Sequence, residues 1–128
     1  MMVVGLGVDL VEVSRIEQSI ARHGERFLQR VFVAGEIAYC GAMKRPWPFY
    51  AARFAAKEAV AKALGCGIGS SCGWLEIEVR RKGSGEPFIS LHGAASATAE
   101  RLRISSFLLS LSHTENYAVA QALALGAG

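Results

Sequence analysis

The chain has no apolar run approaching the roughly 20 residues of a membrane span, and its 128 residues carry only three cysteines and three prolines. The first scarcity argues against a transmembrane segment, so no membrane association is expected. The N-terminus has no basic lead before an apolar core, which argues against a secretory signal. Cys40, Cys66 and Cys72 are odd in number and form no C-x-x-C. A disulfide framework and a structural zinc site are both disfavoured. Free thiols, mostly buried, fit a reducing cytoplasm, and cytoplasmic localisation is expected. No repeat, linker or low-complexity tract is visible. What is present is a globular composition, 52% hydrophobic and 20% charged, long enough for one self-supporting domain over residues 1–128. The net charge of +3 favours an anionic partner without choosing among nucleic acid, phosphate ligand and acidic protein.

The stretch from Arg53 to Gly65 organises the rest. It is rich in alanine and free of proline, so helix propensity is high. Pro48 to Leu64 is expected as one long helix, stopped by Gly65. Lys57, Glu58 and Lys62 interrupt an otherwise apolar pattern. Glu58 and Lys62 are four apart and share a face with Phe54 one turn earlier. Such a pair is commonly no more than a surface contact worth a few tenths of a kcal/mol.

Ahead of this helix, Val4, Leu6, Val8 and Leu10 alternate as in a strand. Its other face reads Val3, Gly5, Gly7, Asp9, Val11. Glycines in a strand often mark close approach of a ligand or backbone. Asp9 at the end of that face needs a partner. Capping of the next helix and ligation of a cation are both open. Ser14 to Arg30 reads as a helix with a Ser14–Glu17 capping box and an apolar seam of Ile16, Ile20 and Phe27. On one helix, Arg15, Arg22, Arg26 and Arg30 would fall within roughly 80° of one another. A solvated face is the ordinary reading of such a stripe, but arginine also suits carboxylates and phosphates.

Residues 31 to 50 give weaker signals: a short helix at Gly35 to Cys40, then a proline-marked loop. Cys66 to Gly73 is a loop that lacks the G-K-[ST] of a phosphate-cradling P-loop. The second half alternates: Leu75 to Arg80, a turn at Lys82 to Pro87, and Phe88 to Leu91 make a hairpin. Gly93 to Arg103 is a helix, and Phe107 to Ser112 and Tyr117 to Leu125 are strands. Alanines 118, 120, 122 and 124 line one side of the last strand, and Tyr117, Val119 and Leu123 the other. Two apolar faces call for two covers, one of them available from a neighbouring subunit. The class is α+β.

Three segments together resemble one family. Gly7-Val8-Asp9 followed by Arg15-Ile16 resembles an opening G-x-D with R-I. Phe54-Ala55-Ala56-Lys57-Glu58-Ala59-Val60-Ala61-Lys62-Ala63 is similar to a W/F-x-x-K-E-A-x-x-K-A signature. Ser112-His113 with Tyr117-Ala118 resembles a closing S-H-x-x-x-Y-A. The family is the holo-acyl-carrier-protein synthases, the short 4′-phosphopantetheinyl transferases. Gly85-Glu86-Pro87 resembles its G-K-P turn with glutamate in place of lysine.

The resemblance implies a bent antiparallel sheet around a long central helix, and a homotrimer with sites in the clefts between subunits. It implies transfer of the phosphopantetheine arm from coenzyme A to a serine of an acidic apo acyl carrier protein in fatty acid biosynthesis, with release of 3′,5′-ADP. It implies Mg2+, held by Asp9 and Glu58. Glu58, or water it orients, would act as base, and Lys62 would act on the leaving group. Lys62, His113, Arg53 and Lys57 would contact the coenzyme, though Lys57 could instead pair structurally and His113 could simply hold a turn. Arg15, Arg22 and Arg26 would meet the carrier protein. The competing reading, a non-enzymatic basic domain binding nucleic acid or an acidic protein, leaves Asp9, Glu58 and Lys62 without a joint purpose.

Overall fold

A computed structural model describes residues 1–127. Strand β1 (Met2–Glu12) leads into helices α1 (Val13–His23), α2 (Glu25–Val31), α3 (Ala34–Gly41) and α4 (Trp47–Ala63). A 3-10 turn at Trp74–Glu76 precedes the hairpin β2 (Ile77–Arg81) and β3 (Pro87–Leu91). Helix α5 (Gly93–Arg101) and strands β4 (Ile104–His113) and β5 (Tyr117–Gly126) complete the order. The strands form an antiparallel sheet β1-β5-β4 and the separate two-stranded hairpin β2-β3. The hairpin adjoins the larger sheet through β3 and β4. The α+β class is therefore observed.

Helix α4 is the centre. Its alanines 51, 52, 55, 56, 59 and 61 are at most 1% exposed, so it is buried almost all round, as a core helix should be. It lies on β1 and β5. A side chain on β1 would forbid this: a Cβ at Gly7 would stand 1.8 Å from the carbonyl oxygen of Ala59, and one at Gly5 2.1 Å from that of Ala63. The two glycines expected to mark a close approach do so, and what approaches is the backbone of α4. The alanine face of β5 packs under the same helix, each of its four alanines at most 1% exposed. Among the described residues nothing covers the opposite face of the sheet. There Leu6, Val8, Leu10 and Leu108 are 54–67% exposed.

Three expectations are corrected. Ser14 to Arg30 is two helices, because the chain turns at Gly24 with φ of +56°. The Ser14–Glu17 capping box is absent: α1 begins at Val13, whose N–H is already satisfied by the Asn116 carbonyl at 2.9 Å. The strand expected from Leu75 starts at Ile77, since Trp74–Glu76 is a 3-10 turn. It is fixed by the Glu76 carboxylate, which accepts from the N–H groups of Gly73 and Ala94.

Candidate functional site

Along the middle of α4, burial spares one edge. Phe54 and Glu58 are half-buried and Lys62 is exposed, and their four-residue spacing stacks them as a stripe. Asp9 stands two residues beyond Gly7 on the glycine face of β1, so the strand that touches α4 brings this carboxylate to the same edge. The Lys62 ammonium donates to the Val8 carbonyl at 2.9 Å and to Asp9 Oδ1 at 3.2 Å. Asp9 and Glu58 line one cavity of about 320 Å3 with Arg15, Ser19, Phe27 and Phe54. Phe54 stacks on Trp74 with ring centroids 4.7 Å apart.

Electrostatics tie the two acids together. Burial pushes the Glu58 carboxyl above the ordinary carboxylate range; the Asp9 charge pushes it further, and Lys62 opposes both. A carboxyl whose ionisation is opposed by burial and by a neighbouring carboxylate is a setting in which a cation is favourable. Among the described residues no group of three or more His, Cys, Asp or Glu side chains could hold a metal. Two carboxylates plus water and substrate phosphates nevertheless match magnesium, which keeps several waters. The donor set thus fits that ion and would suit zinc poorly.

The arginine stripe survives the break at Gly24 in altered form. Arg15, Arg22, Arg26 and Arg30 are all exposed. Arg15 and Arg22 border one shallow cleft, Arg26 and Arg30 the next, and His23 is common to both. The basic surface therefore runs continuously from the Asp9–Glu58 cavity, of which Arg15 is a wall, along α1 and onto α2.

The remaining expected residues lie on other flanks. Arg53 is 5% exposed, with its guanidinium 4.3 Å from the Tyr39 ring centroid. His113 is exposed and packs against Phe49 with centroids 4.9 Å apart, and Phe49 meets Tyr39 at 6.2 Å. His113 and Arg53 are thus linked through two aromatic rings. Arg53 and Glu58 are five residues apart, a rotation of about 140° around the helix, so this cluster does not face the carboxylate cavity of the same chain.

Lys57 departs from its expected role as a coenzyme contact. It is fully buried, and its ammonium meets Glu36 Oε1 at 2.8 Å, the Trp74 carbonyl at 2.9 Å and the Ile77 carbonyl at 2.8 Å. Three donors have three acceptors, which leaves none for a ligand. Burial pulls the Lys57 ammonium down from its ordinary value, and the Glu36 carboxylate pushes it back up. Glu36 also accepts from the N–H groups of Val33 and Val79. Sequence reasoning missed Glu36, Tyr39, Phe49 and Arg81. Only Glu36 had a signal: a lysine on the buried side of an alanine helix demands an acid.

Comparison with known proteins places this geometry in a class. Residues 5–122 match the model of the 4′-phosphopantetheinyl transferase superfamily, and the chain belongs to that family. Within it, the chain is 50% identical over 117 residues to a holo-[acyl-carrier-protein] synthase of Moorella thermoacetica, covering 91% of this chain and 90% of that protein. It is 46% identical to the synthase of Koribacter versatilis, over 95% and 98% of the two chains. Among solved structures, the synthase of Neisseria meningitidis superposes with a TM-score of 0.89 at 32% identity, over 97% of this chain and 99% of that one. The Helicobacter pylori synthase in complex with coenzyme A gives a TM-score of 0.84 at 31% identity, over 94% and 99%. Among the described residues no helix is long and apolar enough to cross a membrane.

Proposed function

We propose that this chain is one 4′-phosphopantetheinyl transferase domain acting as a cytoplasmic holo-acyl-carrier-protein synthase. It transfers the phosphopantetheine arm of coenzyme A to a serine of apo acyl carrier protein and releases 3′,5′-ADP, in support of fatty acid biosynthesis. The observation that carries the reading is the Asp9–Glu58 carboxylate pair on one cavity, with Lys62 hydrogen-bonded to Asp9, in a chain that matches this family over residues 5–122.

Asp9 and Glu58 would hold magnesium, which when bound neutralises charge on the coenzyme's pyrophosphate. Glu58, a carboxylate made more basic by its surroundings, takes the proton of the carrier serine directly or through a water it orients. Lys62 is exposed enough to turn from Asp9 toward the departing 3′,5′-ADP and offset its charge. Arg15, Arg22 and Arg26 receive the acidic carrier. That stripe begins in the wall of the reaction cavity, so a docked carrier brings its serine to Glu58. Arg53 and His113 hold the coenzyme. Lys57 is not part of this set, because its donors are already taken.

The assembly is a homotrimer. Two features support it: the apolar outer face of the β1-β5-β4 sheet needs a cover, and Arg53 and His113 sit on a different flank of α4 from Glu58. A coenzyme touching both groups takes them from adjacent subunits.

The test is direct. The protein is incubated with coenzyme A, magnesium and apo acyl carrier protein, and the carrier is weighed. A gain of about 340 Da, the mass of the arm, is expected, and a chelator should prevent it. An unaltered carrier mass with magnesium present refutes the proposal. A panel of carriers from fatty acid, polyketide and peptide synthases then ranks the substrates.

A further inference from the structure

Helix α4 ends just past Lys62, and the loop that follows carries two of the three cysteines. The backbone there is tightly folded. The N–H groups of Cys66 and Gly67 both donate to the Ala61 carbonyl, at 3.3 and 3.2 Å. Gly65 and Gly67 take φ of +80° and +64° to make that turn. The chain then doubles back: Gly69 and Cys72 exchange both N–H to carbonyl bonds, at 3.0 and 3.2 Å. The Thr98 hydroxyl on α5 donates to the Ser71 carbonyl at 2.8 Å and holds the returning limb.

Two thiols meet in this loop in unlike settings. Cys66 is exposed and Cys72 is fully buried. The Cys66 sulfur is turned back over the helix end, 3.9 Å from the Ala61 carbonyl oxygen, and it is the hydrogen-bond partner of the Cys72 thiol. Burial pushes the Cys72 thiol up to about 12, and the Cys66 sulfur beside it pushes the same way. Cys72 therefore stays protonated at neutral pH and is not the first to react, because the thiolate is the nucleophile. Cys66 meets solvent and reacts first. Cys40 stands apart, buried in the company of Arg53, Glu36 and Lys57. The proposed transfer uses none of these thiols.

We infer that Cys66 and Cys72 form a redox-sensitive clasp: a peroxide converts them to an intrachain disulfide that ties the end of α4 to the limb leading into Trp74, and small thiols release it. The chemistry runs in two stages. The Cys66 sulfur attacks hydrogen peroxide, the O–O bond breaks, and a sulfenic acid and water form. The Cys72 sulfur then attacks Cys66, the S–O bond breaks, and the hydroxyl leaves as water with the Cys72 proton. The peroxide is reduced and the two thiols are oxidised. Exchange with a small thiol reverses the bond, so in a reducing compartment it is transient. An exposed cysteine without a partner would run on to the irreversible sulfinic acid; here a buried sulfur intercepts it one stage earlier. The movement required is small. Sulfurs already in hydrogen-bond contact close to about 2 Å, and the loop has room to follow, since a Cβ at Gly67 or Gly69 would meet nothing within 4 Å.

The experiment treats the full-length protein with hydrogen peroxide, then denatures it and blocks the remaining thiols with iodoacetamide. Trypsin leaves residues 63 to 80 as one peptide, because Lys62 and Arg80 bound a stretch free of lysine and arginine. That peptide should be two hydrogens lighter than its reduced form and take up no label, while Cys40 is labelled in full. Dithiothreitol before blocking should restore the label on Cys66 and Cys72. The melting temperature should rise by about 5 °C on oxidation and fall back with dithiothreitol. Cys66→Ala, a change at an exposed position, should show no such rise, and its Cys72 should keep its label through the same treatment. Sulfinic or sulfonic acid on Cys66 with Cys72 still labelled, a disulfide-linked dimer through Cys66, or an equal thermal gain in Cys66→Ala overturns the inference.

Discussion

Truncating Lys57 should unfold the protein rather than weaken its hold on coenzyme A. Lys57→Ala leaves the 2% exposed Glu36 without its cation and the carbonyls of Trp74 and Ile77 without their donor. Breaking a buried ion pair from one side costs about 3–5 kcal/mol. A carbonyl stripped of its partner costs about 1–3 kcal/mol. The terms overlap, since Glu36 retains two N–H donors from Val33 and Val79 and water can enter the space left behind. A loss of about 5 kcal/mol is the working figure, comparable with the entire stability of many domains. The assay is urea denaturation at fixed protein concentration, with Lys57→Met and Glu36→Gln/Lys57→Met alongside. The double variant removes both charges while keeping an oxygen acceptor for one of the two N–H groups. It should recover part of what Lys57→Met loses, because removing both charges together avoids the unpaired buried carboxylate, while one N–H group is left without its oxygen acceptor. A Lys57→Ala protein with unaltered stability and a KM for coenzyme A raised tenfold would refute this and return Lys57 to the ligand.

Three further outcomes are expected. Glu58→Gln should abolish carrier labelling yet raise the melting temperature at pH 7. The native state holds the Glu58 pKa above its unfolded value, so its favourable contribution is complete only below the unfolded pKa and is lost as pH rises through the folded one. The gain of the variant should therefore vanish in acid, and a gain that grew on acidification would reverse the sign. Gly7→Ala should cost more than about 3 kcal/mol and lower activity with it, because the added methyl meets a backbone carbonyl of α4 rather than a side chain that can turn aside; a variant with wild-type melting temperature and labelling rate would show that α4 can lift off the strand. Leu10→Lys, on the open sheet face, should yield monomers by light scattering with loss of labelling; trimers unaffected by that charge would place the subunit contact elsewhere.

Strand β1, helix α4 and the hairpin were legible because each carries its own periodicity and punctuation. The carboxylate pair was legible only in combination. An aspartate behind two glycines and a glutamate in an alanine helix are each ambiguous, and the resemblance of three segments to one family made them one site. What escaped the sequence depends on distant partners. The helices around Gly24 were joined in error because regularly spaced arginines suggested continuity, while a single glycine in a helical pattern is often tolerated. Ser14 looked like a cap because nothing local announces that Asn116 supplies an acceptor to Val13. Residues 31 to 50 gave little, since Glu36 and Tyr39 owe their roles to Lys57, Val79, Arg53 and Arg81, which lie well apart from them in the chain.

The contact of Gly5 and Gly7 with α4 acts as a gauge block. Most distances across a protein interior are set by side chains, which can hop between rotamers or be exchanged for shorter and longer ones. Here main chain rests on main chain, and the spacing between strand and helix has almost no tolerance in either direction. Asp9 is the next residue on that face, and Glu58 immediately precedes Ala59, whose carbonyl touches Gly7. The separation of the two carboxylates is thus inherited from peptide geometry. Drift elsewhere in the core can alter how stably this ruler is held, but has little purchase on the length it measures.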